Sequence, residues 1–497
     1  MHLGLILDMT SAGFADRTAV RSGEDELRFG ELAAAAETAG RWFGELEVPA
    51  VVYVGGNHPS YPVALFGAAA AGVPFVPLNY RLGTEQLAAQ LSGHPGAFVV
   101  YEGAPPPGSG PGRSSERQAF LARLASRAAG GGGEPLPPVD PELPAVLLYT
   151  SGTSAAPKAA VLRHRHLMAY VLGTVEFGAA GDGERALVSV PPYHVAGLAN
   201  LLSNLYAGRP VVYLDRFSPE TWLEIVRSQH VTQAMVIPTM LARIVEHLGA
   251  ADDAGTPSLR TLSYGGARMP QPVLERALAL FSSTGFVNAY GLTETSSTIA
   301  VLGPDDHREA VSSNDPAVRR RLASAGRLLP GIELEVRDEE GRVLPEGEPG
   351  LLFLRGEQIS GEYAGATMLD EGGWFPTRDR GWVDADGYLF VEGRADDTII
   401  RGGENIAPAE IEDVLVDHPE VVEAVVVGLP DDEWGQRLAA VVVCRPGASV
   451  TVDDLRQLVR TRLRSSKTPE TIDFWEELPR TDTGKLLRRR VVERLAG

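Results

Sequence analysis

Short runs of β-branched and aromatic residues alternate along most of the chain with longer Ala/Leu-rich segments of helical period. Ala50 to Gly55 (AVVYVG) predicts a buried strand and Tyr61 to Ala71 the helix after it. Val73–Leu78, Ala97–Tyr101, Ala145–Tyr149 and Val211–Leu214 predict further strands. Ser218-Pro219-Glu220 supplies an N-cap with proline at the first helical position, and Trp222, Ile225, Val226 and Gln229 follow at helical spacing. Strands alternating with helices in this way make an α/β fold. From Glu102 to Asp140 the pattern breaks: GAPPPGSGPGR and GGGGEPLPP flank a short Ala/Leu/Arg helix, which predicts a mobile surface insertion without chemistry. Past about Gly393 a compact unit begins, with helix Pro408–Val416, strands Val421–Gly428 and Ala439–Cys444, and a helix opened by the capping pair Thr451 and Asp454. The expected organisation is a large N-terminal α/β domain of several subdomains, residues 1–395, and a small, mobile α+β C-terminal domain, residues 396–497.

Composition narrows the function. A chain of 497 residues is too long for one compact domain, and 44% apolar with 22% charged residues excludes wholesale disorder. The net charge of −20 argues against binding nucleic acid or an acidic membrane. No apolar run reaches the roughly 18 residues of a membrane span. The N-terminal run lacks a basic flank and soon meets Asp8, so the expected location is the cytoplasm. The one cysteine, Cys444, excludes an internal disulfide and a Cys-rich zinc site. Of 45 Lys and Arg residues only Lys158, Lys467 and Lys485 are lysine, and two of them sit in suggestive surroundings.

Lys158 closes YTSGTSAAPKA, Tyr149 to Ala159. Here a predicted strand enters a loop rich in hydroxyl donors (Ser151, Thr153, Ser154), with Gly152 to admit close backbone approach. That chemistry suits phosphate, although GxxxxGK is missing and a polar surface turn has the same composition. Lys485 lies in PRTDTGKLLRR beside Arg488 to Arg490. A lysine ammonium can deliver one compact charge between two close oxygens where a planar guanidinium cannot. A solvated basic tail would read the same way.

Six motifs in order give the chain its resemblance to the adenylate-forming superfamily of acyl-CoA synthetases, adenylation domains and luciferases, closest to the acyl-CoA synthetases: the hydroxyl loop, PPYHVAG (Pro191 to Gly197), YGGA (Tyr264 to Ala267), NAYGLTE (Asn288 to Glu294), WFPTRD (Trp374 to Asp379) and GRADDTIIRGGENIAPAEIE (Gly393 to Glu412). The resemblance implies that Thr150, Ser151, Gly152, Thr153, Ser154 and Lys158 wrap the phosphates of ATP. It further implies that Gly265, Gly266 and Ala267 lie along the adenine, Asn288 bonds its amino group, and Tyr290, flanked by Ala289 and Gly291, stacks on the ring. Thr293 would meet the α-phosphate and Glu294 would hold Mg²⁺, for which a carboxylate is a natural ligand. Asp379 and Arg394 would take the ribose, His194 would gate the acyl pocket, and Asp396 would be the hinge. Gly402 and Gly403 would line a pantetheine tunnel, and Lys485 would be the catalytic lysine. Lys467 is given no role.

The implied activity is that of an AMP-forming acyl-CoA ligase using ATP, Mg²⁺ and coenzyme A on a small carboxylic acid, with a homodimer left open. Three departures from the family pattern bear on it: Ala155 and Ala159 stand where the phosphate loop has glycines, and Arg378 replaces the glycine of TGD. Side chains there would obstruct phosphate and crowd the nucleotide. An enzyme that only transfers a preformed acyl-AMP to CoA is therefore a second expectation, and an adenylation enzyme loading a carrier protein a third. The acyl pocket is expected near His194, Ala196, Gly197, Tyr264, Gly265 and Thr295 to Thr298, wide and without a cation for a second carboxylate.

Overall fold

The computed structural model describes residues 1–497 except 111, 130–135, 151–157, 402–403, 432–433, 464, 482–483, 485 and 497, and describes 405 without its side chain. Among the described residues, one large sheet runs in the order Ala366–Thr367, Glu362–Tyr363, Lys158–Arg163, Pro144–Thr150, Phe75–Pro77, Val51–Val54, Phe98–Tyr101 and Ser114–Glu116. The all-apolar strand Val51–Val54 is buried on both faces and lies parallel to both neighbours, as its unbroken β-branched run demands. A second sheet runs from Arg327–Leu328 through Ser297–Leu302, Gly285–Leu292, Thr261–Gly265, Gln233–Val236, Ala186–Val188 and Val211–Tyr213 to Thr18–Ser22 and Asp25–Arg28. Helices Phe29–Glu45, Ser60–Ala70 and Val195–Tyr206 fill one core shared by both sheets, in which Phe43, Phe66 and Leu202 meet Phe75 of the first and Val211 of the second.

A third, antiparallel sheet of Glu333–Arg337, Gly350–Arg355, Phe375–Val383 and Leu389–Arg394 packs Leu352, Phe375 and Leu389 against Ile299 and Ala300 of the second sheet. That contact carries residues 379 and 394 to the second sheet. Beyond it come the hairpin Ile399–Arg401/Glu404–Ile406, helix Pro408–Val416 and a sheet of Val421–Asp431, Gly435–Cys444 and Thr471–Phe474. Two buried clusters of this part, around Ile411 and Val441, draw only on residues from Ile399 onward. The protein is thus α/β, with a large N-terminal and a smaller C-terminal part. Among the described residues no helix is long and apolar enough to cross a membrane.

Local signals hold where capping or burial enforces them. Ser218 Oγ accepts the Thr221 amide at 3.1 Å to open helix Pro219–Ser228, and Thr451 and Asp454 cap Val452–Arg462 reciprocally. The insertion expected to be a mobile surface loop is different. Ser114–Glu116 adds to the edge of the first sheet, and Glu116 caps helix Arg117–Ala128 by accepting the Gln118 amide at 2.7 Å. Phe120 and Leu124, one turn apart, are buried at 0% and 1% exposure, and the Phe120 ring lies 6.2 Å from that of Phe43. The short helix itself is as expected; its proline- and glycine-rich flanks hid the apolar face that anchors it in the main core.

Two histidines brace the strand that returns from the phosphate loop. His164 Nδ1 accepts the Leu3 amide and His166 Nδ1 the Arg163 amide, each at 3.3 Å. Both rings must therefore be neutral at Nδ1. Burial holds His164 down to about 4, helped by His2 and the chain N-terminus, and His166 down to about 3, helped by Arg165 and Arg163.

Two outcomes follow. Phe120→Ala should destabilise the N-terminal part by about 3–5 kcal/mol in urea unfolding, the cost of emptying an aromatic core site; a loose insertion would show no change. The unfolded chain takes up protons on these histidines near the ordinary 6.5, before the folded chain does. Stability should therefore be full above that pH and fall as pH drops towards 4 and 3, and His166→Gln should flatten the fall in urea midpoints measured across that range.

Candidate active site

Strands Thr261–Gly265 and Gly285–Leu292 are parallel neighbours, and their carboxyl-end turns carry two of the expected motifs side by side. Gly265 is opposite Ala289, where a Cβ would stand 2.3 Å from the Ala289 carbonyl oxygen, so only glycine permits the approach. Gly266 then turns at φ +85°, and Ala267 is exposed after it. On the neighbouring strand Asn288 Nδ2 donates to the Ser324 carbonyl at 3.0 Å, which fixes the amide orientation. Its Oδ1 has no donor among the described residues and can accept from an amino group.

Tyr290 comes next but one and donates its hydroxyl to Asp379 Oδ2 at 2.5 Å. Burial first, then the Asp379 charge, raises the Tyr290 hydroxyl well above the usual range, so it remains a donor. Arg394 stands 3.3 Å from Asp379 Oδ1 and donates to the Thr377 carbonyl at 2.6 Å. A bulge aims Asp379: Leu351 pairs with Arg380 and Phe353 with Pro376, so Thr377, Arg378 and Asp379 together oppose Leu352. Thr377 Oγ1 bonds the Leu352 carbonyl and receives the Asp379 amide.

Arg378, expected to crowd the nucleotide, is exposed and forms no hydrogen bond or ion pair among the described residues. Its backbone is left-handed, φ +62°, the conformation a glycine would adopt freely. What the structure registers at this departure is a backbone cost. Ser296 (φ +55°) and Ser297 (φ +105°) make three of the five positive-φ non-glycine residues of the described chain fall beside this site. Such conformations persist only where the surroundings enforce them, and they concentrate at functional sites.

NAYGLTE is strand until Leu292, then a single 3₁₀ turn Thr293–Thr295 rather than the start of a longer helix. Thr295, wholly buried, clamps that turn by receiving the Leu292 amide at 2.9 Å and donating to the Ser297 carbonyl at 2.7 Å. Thr293 remains part-exposed, and Glu294 is 9% exposed. The Glu294 carbonyl receives the Ser360 amide at 2.8 Å and the Gly361 amide at 3.2 Å, and its Oε1 receives the Tyr363 hydroxyl. No three His, Cys, Asp or Glu residues gather into a metal cage among the described residues. A single buried carboxylate fits Mg²⁺ arriving with ATP, since Mg²⁺ is commonly held by one or two carboxylates together with substrate phosphates.

The phosphate-loop stem is also in place. Thr150 ends one strand, and its hydroxyl meets the carbonyl of Lys158, which begins the returning strand, at 3.3 Å. The Lys158 side chain is exposed. Ala159 pairs in register with Tyr149 with no positive φ, so no glycine conformation is needed where an obstruction was expected. Ser151, Gly152, Thr153, Ser154, Ala155, Gly402, Gly403 and Lys485 lie outside the described residues. Gly484, next to Lys485, turns at φ +77° against the N-terminal part: a Cβ on it would stand 2.4 Å from Thr239 Oγ1. Lys467 forms an ion pair with Glu410.

His194 occupies the N-cap of helix Val195–Tyr206, its ring 5.0 Å from that of Tyr193, which in turn is 5.8 Å from Tyr80. Two expected pocket walls are instead support. Tyr264 is 1% exposed, with its hydroxyl 2.9 Å from His307 Nε2, and Thr295 and Ser296 are wholly buried. Tyr363, Thr377 and the Ser324 carbonyl went unnoticed in the sequence. A backbone carbonyl leaves no signature there, and a two-residue strand such as Glu362–Tyr363 has no period to detect.

The chain is similar to known proteins over most of its length. A family model for the AMP-binding enzyme matches residues 7–364, and one for the AMP-binding enzyme C-terminal domain matches residues 410–485. A fatty acid–[acyl-carrier-protein] ligase of Streptomyces coeruleorubidus is 36% identical over 90% of this chain and 87% of its own. A feruloyl-CoA synthase of an Amycolatopsis species is 34% identical over 96% of each. The solved o-succinylbenzoate CoA synthetase of Bacillus subtilis, in complex with its acyl-adenylate intermediate, superposes with a TM-score of 0.81 at 26% identity over 98% of this chain and 97% of that one. The chain belongs to the AMP-binding enzyme family, within its adenylate-forming acid–thiol ligases.

Proposed function

We propose that the protein is an acyl-CoA synthetase that joins a carboxylic acid to CoA through an acyl-adenylate, with the domain division at residues 395/396. The observation that carries this reading is the linked set Tyr290–Asp379–Arg394 beside Asn288 Oδ1: a ring, a carboxylate and an amide oxygen arranged for one nucleotide. Asn288 accepts from the adenine amino group, Tyr290 lies along the ring, and Asp379 accepts from the ribose hydroxyls. In the first half-reaction an acid carboxylate oxygen bonds to the α-phosphorus of ATP while the bond to pyrophosphate breaks. Thr293 donates to the α-phosphate, and Lys485 stabilises the charge that builds on the oxygens. Mg²⁺, bound with ATP against Glu294, would neutralise phosphate charge. In the second, the CoA thiol attacks the acyl carbonyl, loses its proton and expels AMP, with Gly402 and Gly403 lining its approach.

The hinge at Asp396 is supported by what holds the residues on either side. Upstream, Arg394 is tied to Asp379 and Thr377; downstream, Arg488 pairs with Asp397 at 3.4 Å and with Glu412 at 2.6 Å. Asp396 lies between them, exposed, with no partner among the described residues. Across the two parts, the Arg268–Asp413 ion pair and the Gly484–Thr239 contact are polar or small and can be exchanged for others. The 36% identity to a carrier-protein ligase favours a second reading, in which the acceptor thiol belongs to a carrier protein.

Two assays decide among these readings: carboxylate-dependent ATP–pyrophosphate exchange over a panel of aromatic, fatty and terpenoid acids, and thioester formation from their synthetic adenylates with CoA or a carrier protein. Both activities are expected, with CoA as acceptor. Lys485→Arg should lower exchange by about 10²–10³-fold, as for loss of an oriented charge-stabilising donor, and spare transfer from the adenylate. Transfer without exchange in the unaltered enzyme would leave only the second half-reaction; transfer to a carrier protein but not to CoA would select the carrier reading.

A further inference from the structure

The segment from Ser360 to Ala364 touches both Glu294 and the strand Lys158–Arg163. Its first two amides both bond the Glu294 carbonyl. Ser360 Oγ donates to the Val161 carbonyl, Tyr363 pairs with Ala160, and the Ala364 amide bonds the Ala159 carbonyl at 2.9 Å. Glu362 takes both Nε and Nη2 of Arg163 at 2.9 and 2.8 Å. The backbone of Glu294 and the strand returning from the phosphate loop are thus stitched to one short strand. That strand also projects Tyr363, whose hydroxyl donates to Glu294 Oε1. Glu294 Oε2 has no partner among the described residues.

We propose that Tyr363 is a positioning residue for the ATP-dependent half-reaction. Its hydroxyl holds one oxygen of Glu294 and keeps the other turned towards the phosphates and their metal ion. A carboxylate on a side chain with free rotamers would lose that orientation. A neutral donor suits the task, because a cation in the same place would compete with the metal ion for the charge of Glu294. This rests on the adenylating reading above.

Tyr363→Phe removes the hydroxyl and keeps the ring, so the strand should survive. In this variant MgATP affinity measured by calorimetry should fall roughly tenfold, as for loss of a charge-assisted hydrogen bond, and the Mg²⁺ concentration for half-maximal exchange should rise. AMP affinity, transfer of acyl-AMP to CoA and the melting temperature without ligand should stay within twofold or a few degrees of the unaltered enzyme. Equal loss of MgATP and AMP binding, or of both half-reactions, would reduce Tyr363 to a folding residue and overturn the proposal; so would unchanged MgATP affinity. If the unaltered enzyme binds MgATP in a Tyr363-dependent way yet shows no exchange, the adenylating reading falls and Tyr363 positions MgATP binding alone, which overturns its role in a half-reaction. If it binds no MgATP, both fall.

Discussion

The 2.5 Å hydrogen bond from Tyr290 to Asp379 joins two sheets that share no strand. Tyr290 comes from strand Gly285–Leu292 of the second sheet, just past its parallel pairing with Thr261–Gly265, and Asp379 from a bulge in the antiparallel third sheet. The apolar contact of Leu352, Phe375 and Leu389 with Ile299 and Ala300 brings the sheets together. The hydrogen bond and the adjoining Arg394 fix where their polar edges meet. Asp379 is 6% exposed, and a carboxylate so enclosed needs its partners. Arg394 stands two residues before Asp396, the proposed hinge, so the set that shapes the proposed nucleotide seat lies at the edge of the N-terminal part.

On the proposed two-step reading, that geometry would let one site serve two reactions in sequence. Asn288, Tyr290, Asp379 and Arg394 all belong to the N-terminal part, so on that reading the proposed seat need not change while the C-terminal part rearranges. Among the described residues, contacts between the two parts include Gly484 against Thr239 and the Arg268–Asp413 ion pair, which are small or polar. Strain is stored beside the seat: Ser296, Ser297 and Arg378 all have positive φ, held there by Gln358, Thr295 and the Leu352 bulge. Glu294 and Asp379 each sit one or two residues from such a position, which is how a short turn can aim a carboxylate that regular strand would direct elsewhere.

Much of the fold could be read from the sequence because burial and capping are local. Val51–Val54, Ser218 with Pro219, and Thr451 with Asp454 behave as their residue types require. The helix Arg117–Ala128 was legible as an element but not as part of the core, since its proline- and glycine-rich flanks outweighed the two apolar residues that anchor it. At the site, residue types named the chemistry, but long-range geometry assigned the partners. Nothing near Asp379 in sequence points to Tyr290, 89 residues away, and nothing near Glu294 points to Tyr363, 69 away. Arg378 shows the same limit: its side chain suggested crowding, whereas the structure puts the cost in the backbone. The scarce lysines divide in a comparable way, one exposed at the phosphate-loop stem, one in an ion pair with Glu410, and one beside Gly484.

The claim on which the rest stands is that Tyr290, Asp379 and Arg394 form a nucleotide seat independent of the mobile part. Isothermal titration of AMP into the enzyme and into Asp379→Asn tests it directly, since asparagine keeps the shape and one acceptor but loses the charge facing Arg394 and the ribose. The account predicts AMP binding weakened by roughly 10–100-fold with the melting temperature little changed. Unaltered AMP affinity in that variant would contradict it.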